Sequence, residues 1–297
     1  TKLWIEKIEK ETQGRVKIKP FWAGALINPR QSALELAKGV ADIGDFSGAY
    51  APRGYEFEKT MRMIFWGVND RYLARKVYLE VFAKYPQLEK EFTDGGIKVM
   101  AYSGIPPYHL FSAKKPIRKA ADIKGMTIKG AGDLGKLATA LGGEGINLPM
   151  SESYIALQKG TIDGLFSTYE TLKTFKFAEV VKYVIIMDIL PAPSGHWGYS
   201  LKSWNKLPKD IQKVFEDNIE WLGLKVEELV YGAEDAGSKL AKEHGVEFIN
   251  LPPEELGKIH AVIERTILGQ MAKLDAKGLP GTEVYREIRS LIKKYGK

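Results

Sequence analysis

One seven-residue pattern occurs twice in this chain and constrains what surrounds it. Leu36-Ala37-Lys38-Gly39-Val40-Ala41-Asp42 returns as Leu157-Gln158-Lys159-Gly160-Thr161-Ile162-Asp163, the pattern L-x-K-G-x-x-D repeated 121 residues on. Each copy ends a helical stretch on Gly and opens a strand on Asp. Glycine reaches the left-handed backbone that closes a helix, so the chain can turn at once into a buried strand. Two such junctions this far apart predict two similar α/β lobes, not an array of small repeats. With 297 residues the chain is long enough for two domains whose cores need no disulfide or metal staple. Ligands of α/β proteins sit beyond strand ends and in clefts between lobes.

Strand and helix patterns alternate through the rest of the chain, which predicts an α/β fold. Helices are expected up to Thr12 and over 31–38, 72–84, 134–141, 151–159, 253–273 and 282–294. Strands are expected at 16–18, 41–46, 97–102, 126–129, 164–166 and 183–189. From Pro208 to Glu243 an apolar stripe (Ile211, Val214, Phe215, Ile219, Leu222, Val226, Leu229) holds helical spacing, with Pro208 suited to the first turn. A helix of ~36 residues is about three times the usual length and can lie across two lobes.

Several function classes drop out. The net charge is +7, but Lys and Glu alternate as in Glu6-Lys7-Ile8-Glu9-Lys10-Glu11, the look of a solvated helix face. No basic run is interleaved with aromatics, so nucleic acid is not an expected partner. The chain has no cysteine, which excludes disulfides, thiolate catalysis and cysteine zinc sites. No apolar run reaches the ~20 residues that span a bilayer. The sequence opens without Met inside an amphipathic pattern (Trp4, Ile5, Ile8), so a cleaved secretion signal is expected to have preceded it.

None of the four histidines pairs with another at metal-ligand spacing, and no metal or other cofactor is expected. His244 and His260 fall in polar helical stretches. His109 and His196 sit among aromatics, as hydrogen-bonded structural residues first and ligand contacts second. Neither a G-x-S-x-G elbow nor a phosphate loop is present. Gly130-Ala131-Gly132-Asp133-Leu134-Gly135 reads as G-x-G-x-x-G, but the acidic residue at the right distance, Glu152, precedes a helix instead of ending a strand. A tight turn is expected there, with a helix N-terminus that suits an anion. Nothing singles out a general acid and base, so catalysis is not expected. An enzyme on a two-lobed α/β fold would have to use His109 and His196.

Ala121-Asp122-Ile123-Lys124-Gly125-Met126-Thr127-Ile128-Lys129 resembles the D-L-K-G-L-K-I-R segment of DctP-type solute-binding proteins of TRAP transporters. The likeness continues from Leu148-Pro149-Met150-Ser151 through Tyr154-Ile155-Ala156-Leu157-Gln158-Lys159-Gly160 to Asp163-Gly164, where the family reads P-M-P-F-S-E-V-Y-x-A-L-Q-x-G-x-V-D-G. Gly39-Val40-Ala41-Asp42-Ile43-Gly44 and Trp204-Asn205-Lys206-Leu207-Pro208 match further family segments, and the resemblance covers essentially the whole chain. It implies a two-lobed, periplasmic-binding-protein-like fold, each lobe a sheet flanked by helices, with a lobe-spanning helix near 208–243. The lobes are expected as 1–104 with 198–297 and as 105–197, closing by a hinge on the cleft between them. It further implies a monomeric extracytoplasmic receptor that hands a small carboxylate to integral membrane subunits.

Departures from the family bear on the ligand. The family's Arg at the end of the I-R strand is Lys129, a point charge without the bidentate fit of a guanidinium. A second family Arg is missing where Tyr108 and His109 stand. The family's D-G-Q-E-N reads Asp163-Gly164-Leu165-Phe166-Ser167, with two polar positions made apolar. One cation kept and polar groups lost suggest a monocarboxylate with an apolar or aromatic body; an aliphatic 2-oxo or 2-hydroxy acid is the alternative. Lys129 is expected to hold the carboxylate, with Ser151 at a helix start and Ser167 and Ser200 in place of family Asn residues. Tyr108, His109 and His196 are further hydrogen-bonding candidates. Phe46, Tyr50, Trp66, Tyr154, Phe166 and Trp197 are candidates for the walls. Glu144 and Glu170 are the residues to consider if a cation binds with the ligand.

Overall fold

A computed structural model describes residues 1–68 and 70–296, apart from the side chains of 194–196. The chain begins with α1 (Lys2–Glu11), α2 (Ser32–Lys38), β1 (Ile43–Asp45), α3 (Glu56–Met61), α4 (Arg71–Lys84), α5 (Gln87–Asp94) and β2 (Ile97–Ser103). It crosses at 104–107 into β3 (Tyr108–Ser112), β4 (Thr127–Lys129), α6 (Asp133–Ala140), β5 (Glu144–Ile146), α7 (Met150–Lys159), β6 (Gly164–Ser167), α8 (Glu170–Thr174) and β7 (Tyr183–Ile189). It returns at 190–193 to β8 (Ser194–Ser200) and α9 (Leu201–Trp204). The last elements are α10 (Lys209–Asp217), α11 (Ile219–Glu243), β9 (Glu247–Asn250), α12 (Pro253–Asp275) and α13 (Gly281–Tyr295).

Two sheets define two lobes. The first has the order β1-β8-β2, all antiparallel. The second has the order β5-β4-β6-β3-β7-β9. The repeated junction is built the same way in each. Gly39 (φ 80°) and Gly160 (φ 71°) are left-handed helix ends. Val40 N–H bonds the Glu35 carbonyl (3.0 Å), as Thr161 N–H bonds that of Ala156 (2.9 Å), and β1 and β6 follow directly.

Three expectations need correction. The lobe boundary does not fall at 197: β8 pairs with β1 and β2 from Ser194 on, while β9, assigned by sequence to the first lobe, runs parallel to β7 in the second sheet. The helix over 208–243 is two helices broken at Asn218. The Asn218 amide donates to the Val214 carbonyl (2.9 Å), the oxygen its own backbone N–H would take in a continuous helix, and that N–H shifts to Phe215 (3.1 Å). Residues 16–18 form no ladder; Thr12 Oγ1 and Glu9 Oε1 accept from Val16 and Ile18 N–H instead (3.3 and 3.2 Å).

α11 is the element that ties the lobes together. Its 25 residues span about 37 Å. It lies on backbone at two glycines: a Cβ on Gly223 would sit 2.3 Å from the Tyr102 carbonyl of the first lobe, and one on Gly237 1.9 Å from that of Tyr169 in the second. Between them, Glu227 accepts from Gly104 N–H (3.2 Å) and pairs with Arg75 (3.4 Å), and Tyr231 donates to the Ile105 carbonyl (3.2 Å). The first crossover is thereby held by the helix.

Candidate functional site

β4 is a parallel strand flanked by β5 and β6, and Lys129 is its last residue. The side chain is 2% exposed. Its ammonium contacts the Met150 sulfur at 2.9 Å, where α7 begins. Among the described residues no carboxylate pairs with it. Burial, and then the charge of Arg62, pushes Lys129 down to about 7.

Arg62 stands at the end of α3, on the stretch of chain before the crossover at 104–107. It is buried, and its guanidinium donates to Tyr108 Oη (3.0 Å), Ser47 Oγ (3.1 Å) and Glu58 Oε1 (3.3 Å). Glu58 Oε2 in turn accepts from Gly48 N–H (2.9 Å). Tyr50 stands in the fields of Arg62, Tyr108 and Asp45, and burial pushes its phenol up to about 12. Asp45 reaches solvent at the end of β1, yet protein surrounds it closely enough that desolvation, then the Glu58 charge, pushes its carboxyl up to about 7. Two further residues, Asn147 and Arg30, bond across the chain here. Asn147 Nδ2 donates to the Ala49 carbonyl (3.2 Å), and Arg30 forks onto both oxygens of Glu152, with Nε at 2.9 Å from Oε1.

Of the residues expected at the site, the structure thus gathers Lys129, Tyr108 and Tyr50. The others stand elsewhere. Ser151 is exposed, and its neighbour Met150 meets Lys129 instead. Tyr154 donates to Glu179 (2.8 Å) on the outer side of the second lobe, and Ser167 shares a hydrogen bond with Thr171 (2.8 Å). Phe166, on β6, is buried in the core, and Phe46 packs against Tyr55 and Phe92. Trp66 lies beneath Arg289 (4.4 Å) and beside His260; Trp197 belongs to the first lobe's core near Trp4. Ser200 is buried at the end of β8 remote from Asp45. The His196 side chain lies outside the described residues.

His109 follows Tyr108 in β3, so it faces the opposite side of the sheet. There it stacks on Tyr169 (4.3 Å between centroids), and Nδ1 accepts from Met187 N–H (3.3 Å). Burial pushes it down to about 3, so it is neutral. Among the described residues no group of His, Cys, Asp or Glu could hold a metal ion. Glu144 is exposed and Glu170 bonds Thr174. The glycine run serves packing: a Cβ on Gly130 would meet Gly135 N at 2.4 Å, and one on Gly145 would meet the Gly135 carbonyl at 1.8 Å.

Sequence reasoning missed Arg62, Glu58, Ser47, Asp45 and Met150. One signal was available: Arg62 is the only charge in the apolar run Met61-Arg62-Met63-Ile64-Phe65-Trp66, and a charge inside such a run needs built partners.

A cation buried at a strand end, within the field of a second buried cation, suits an anion. The family described as bacterial extracellular solute-binding protein, family 7 (DctP), matches residues 1–273. The chain belongs to the DctP family. Its members and structural neighbours are solute-binding receptors, not enzymes, which removes the catalytic alternative.

An uncharacterized protein of Haemophilus influenzae is 33% identical over 185 residues, 61% of this chain and 55% of that protein. The monocarboxylate 2-oxoacid-binding periplasmic protein of a Nostoc species is 24% identical over 228 residues, 71% of this chain and 58% of its own length. The chain therefore spans little more than half of these curated relatives. A TRAP periplasmic solute-binding protein from Desulfovibrio salexigens, in an open complex, superimposes with TM-score 0.76 at 28% identity, covering 100% of this chain and 91% of that one. One from Rhodoferax ferrireducens, with benzoate, gives 0.84 at 23% identity, covering 99% and 92%. The two-lobed DctP fold is thus shared along the whole chain. Among the described residues no helix is long and apolar enough to cross a membrane.

Proposed function

We propose that this DctP protein is the extracytoplasmic receptor of a TRAP transporter for a small monocarboxylate, held by Lys129 between the closing lobes and delivered to integral membrane subunits. The observation that carries the reading is Lys129 itself, a buried ammonium with only a thioether for company. Leaving an ammonium buried without a counter-ion is unfavourable, and an anionic ligand relieves it. Arg62 adds positive field: three of its N–H donors go to Glu58, Ser47 and Tyr108, and its buried Nε, without a partner among the described residues, would be free to donate to the same carboxylate.

The body of the ligand would lie against Tyr50, Tyr108 and Met150, since Phe46, Trp66, Phe166 and Trp197 pack in or against the cores and Tyr154 bonds Glu179 at the surface. That is a smaller apolar surface than the sequence suggested, and it suits an aromatic acid or a short aliphatic one. The benzoate and mandelate of related receptors favour the first, and the 2-oxoacid of the Nostoc relative favours the second.

A thermal-shift panel of benzoate, mandelate, 2-oxo acids, sugar acids and dicarboxylates separates these. An acid at 100 times its Kd stabilises the folded form by about 2.7 kcal/mol, a readily measured rise in Tm. Response to monocarboxylates is expected. Response to dicarboxylates or sugar acids alone would overturn the ligand class.

A further inference from the structure

We propose, building on the receptor reading above, that this chain takes up a proton at Lys129 when it captures a carboxylate. The surroundings of the amine require it. Lys129 is 2% exposed and touches the Met150 sulfur at 2.9 Å, an uncharged and weak acceptor. Its flanking strand positions, Ile146 on β5 and Leu165 on β6, are apolar. The charge of Arg62, itself buried at the end of α3, acts on it as a like charge. Lost hydration and a neighbouring cation both favour the neutral amine.

The remaining titratable groups nearby do not offset this. Glu58 is committed to Arg62 and to Gly48 N–H, and Tyr108 accepts from Arg62. Tyr50 is a neutral phenol at physiological pH. Of these groups Asp45 also titrates near neutrality, and the Lys129 and Asp45 variants separate the two.

A bound carboxylate places a negative charge where the amine has none. The amine then binds a proton more tightly: the ligand enters as RCOO⁻, one proton comes from solvent to the Lys129 nitrogen, and no other bond is made or broken. The sign follows from linkage. Lys129 is depressed to about 7 in the free protein and rises on binding. Below that pH the ammonium is already present and affinity is flat. Above it the receptor must first acquire a proton, and affinity falls up to about tenfold per pH unit until Lys129 titrates in the complex.

Calorimetric titration with benzoate and with (R)-mandelate at pH 8, in phosphate and in Tris, counts the protons, because the two buffers release different heats of ionisation. Close to one proton taken up per acid bound is expected, with affinity falling between pH 7 and pH 9. Lys129→Arg keeps a permanent charge and is expected to lose both the uptake and the slope, while Asp45→Asn keeps them. In the unsubstituted protein, carbon-13 NMR of the lysine ε-carbons is expected to show one lysine with a midpoint near 7 that moves upward when acid is added. Binding of either acid without proton uptake overturns the proposal and leaves the receptor reading standing. Uptake that survives Lys129→Arg and vanishes in Asp45→Asn overturns it in favour of Asp45. Failure of both acids to bind between pH 6 and pH 9 overturns the proposal together with the aromatic monocarboxylate reading.

Discussion

Three glycines on α11 meet three different surroundings, and alanine is expected to destabilise at two of them and stabilise at the third. At Gly237 a Cβ would lie 1.9 Å from the Tyr169 carbonyl oxygen and 2.6 Å from its carbon. Both are backbone atoms, which cannot rotate aside as a side chain could. The helix would have to retreat from the second lobe by roughly 1 Å, and overpacking of this kind costs about 1–3 kcal/mol. At Gly223 the Tyr102 carbonyl is 2.3 Å from the added carbon, a smaller overlap against the first lobe. At Gly232 nothing lies within 4 Å, and alanine gains about 0.8–1.0 kcal/mol of helix propensity. At ~2–4 °C per kcal/mol, Gly237→Ala is expected to lower Tm by roughly 3–10 °C, Gly223→Ala by less, and Gly232→Ala to raise it by a few degrees. Differential scanning calorimetry of the three variants at one pH reads the series. A Gly237→Ala Tm equal to or above that of Gly232→Ala would refute the close docking of α11 on both lobes.

Lys129→Met is expected to abolish carboxylate binding while raising Tm, since it replaces an unpaired buried amine with an apolar chain of similar volume. Lys129 is depressed to about 7 in the folded protein, so the unfolded chain binds more protons above that pH and wild-type stability rises toward pH 10; the Tm gap between variant and wild type therefore narrows as pH increases. Arg62→Ala leaves Glu58 buried without its counter-ion and is expected to cost about 3–5 kcal/mol, much of it recovered in Arg62→Met with Glu58→Gln, as urea unfolding would measure. Arg30→Ala removes an exposed clasp between the lobes, so ligand affinity is expected to weaken by no more than a few-fold, with the difference lost at high salt.

The two helix-to-strand junctions were legible because a left-handed helix end demands a residue type: Gly39 and Gly160 adopt the backbone that their position announced. Lys129 was legible as the cation that ends a strand in a recognisable segment. Which lobe a strand joins was not, because β9 is four residues whose partner, β7, is set by the path of α11 and not by local pattern. The break at Asn218 hinges on one side-chain hydrogen bond that leaves the apolar spacing of α10 and α11 unchanged. The aromatic walls were misplaced for a related reason: Phe46, Phe166 and Trp197 have the composition of a cleft wall and of a core alike, and only their neighbours tell the two apart. Tyr108 and His109 show the limit most clearly. Adjacent in sequence and equally plausible, they face opposite sides of one strand, one toward Arg62 and the other toward Tyr169.

The most direct test of the central claim is a crystal structure of the protein with the acid that gives the largest thermal shift. The acid is expected between the lobes, its carboxylate within hydrogen-bond distance of Lys129 Nζ and the Met150 sulfur displaced from that contact. A carboxylate held elsewhere, with Lys129 still against Met150, would contradict that claim.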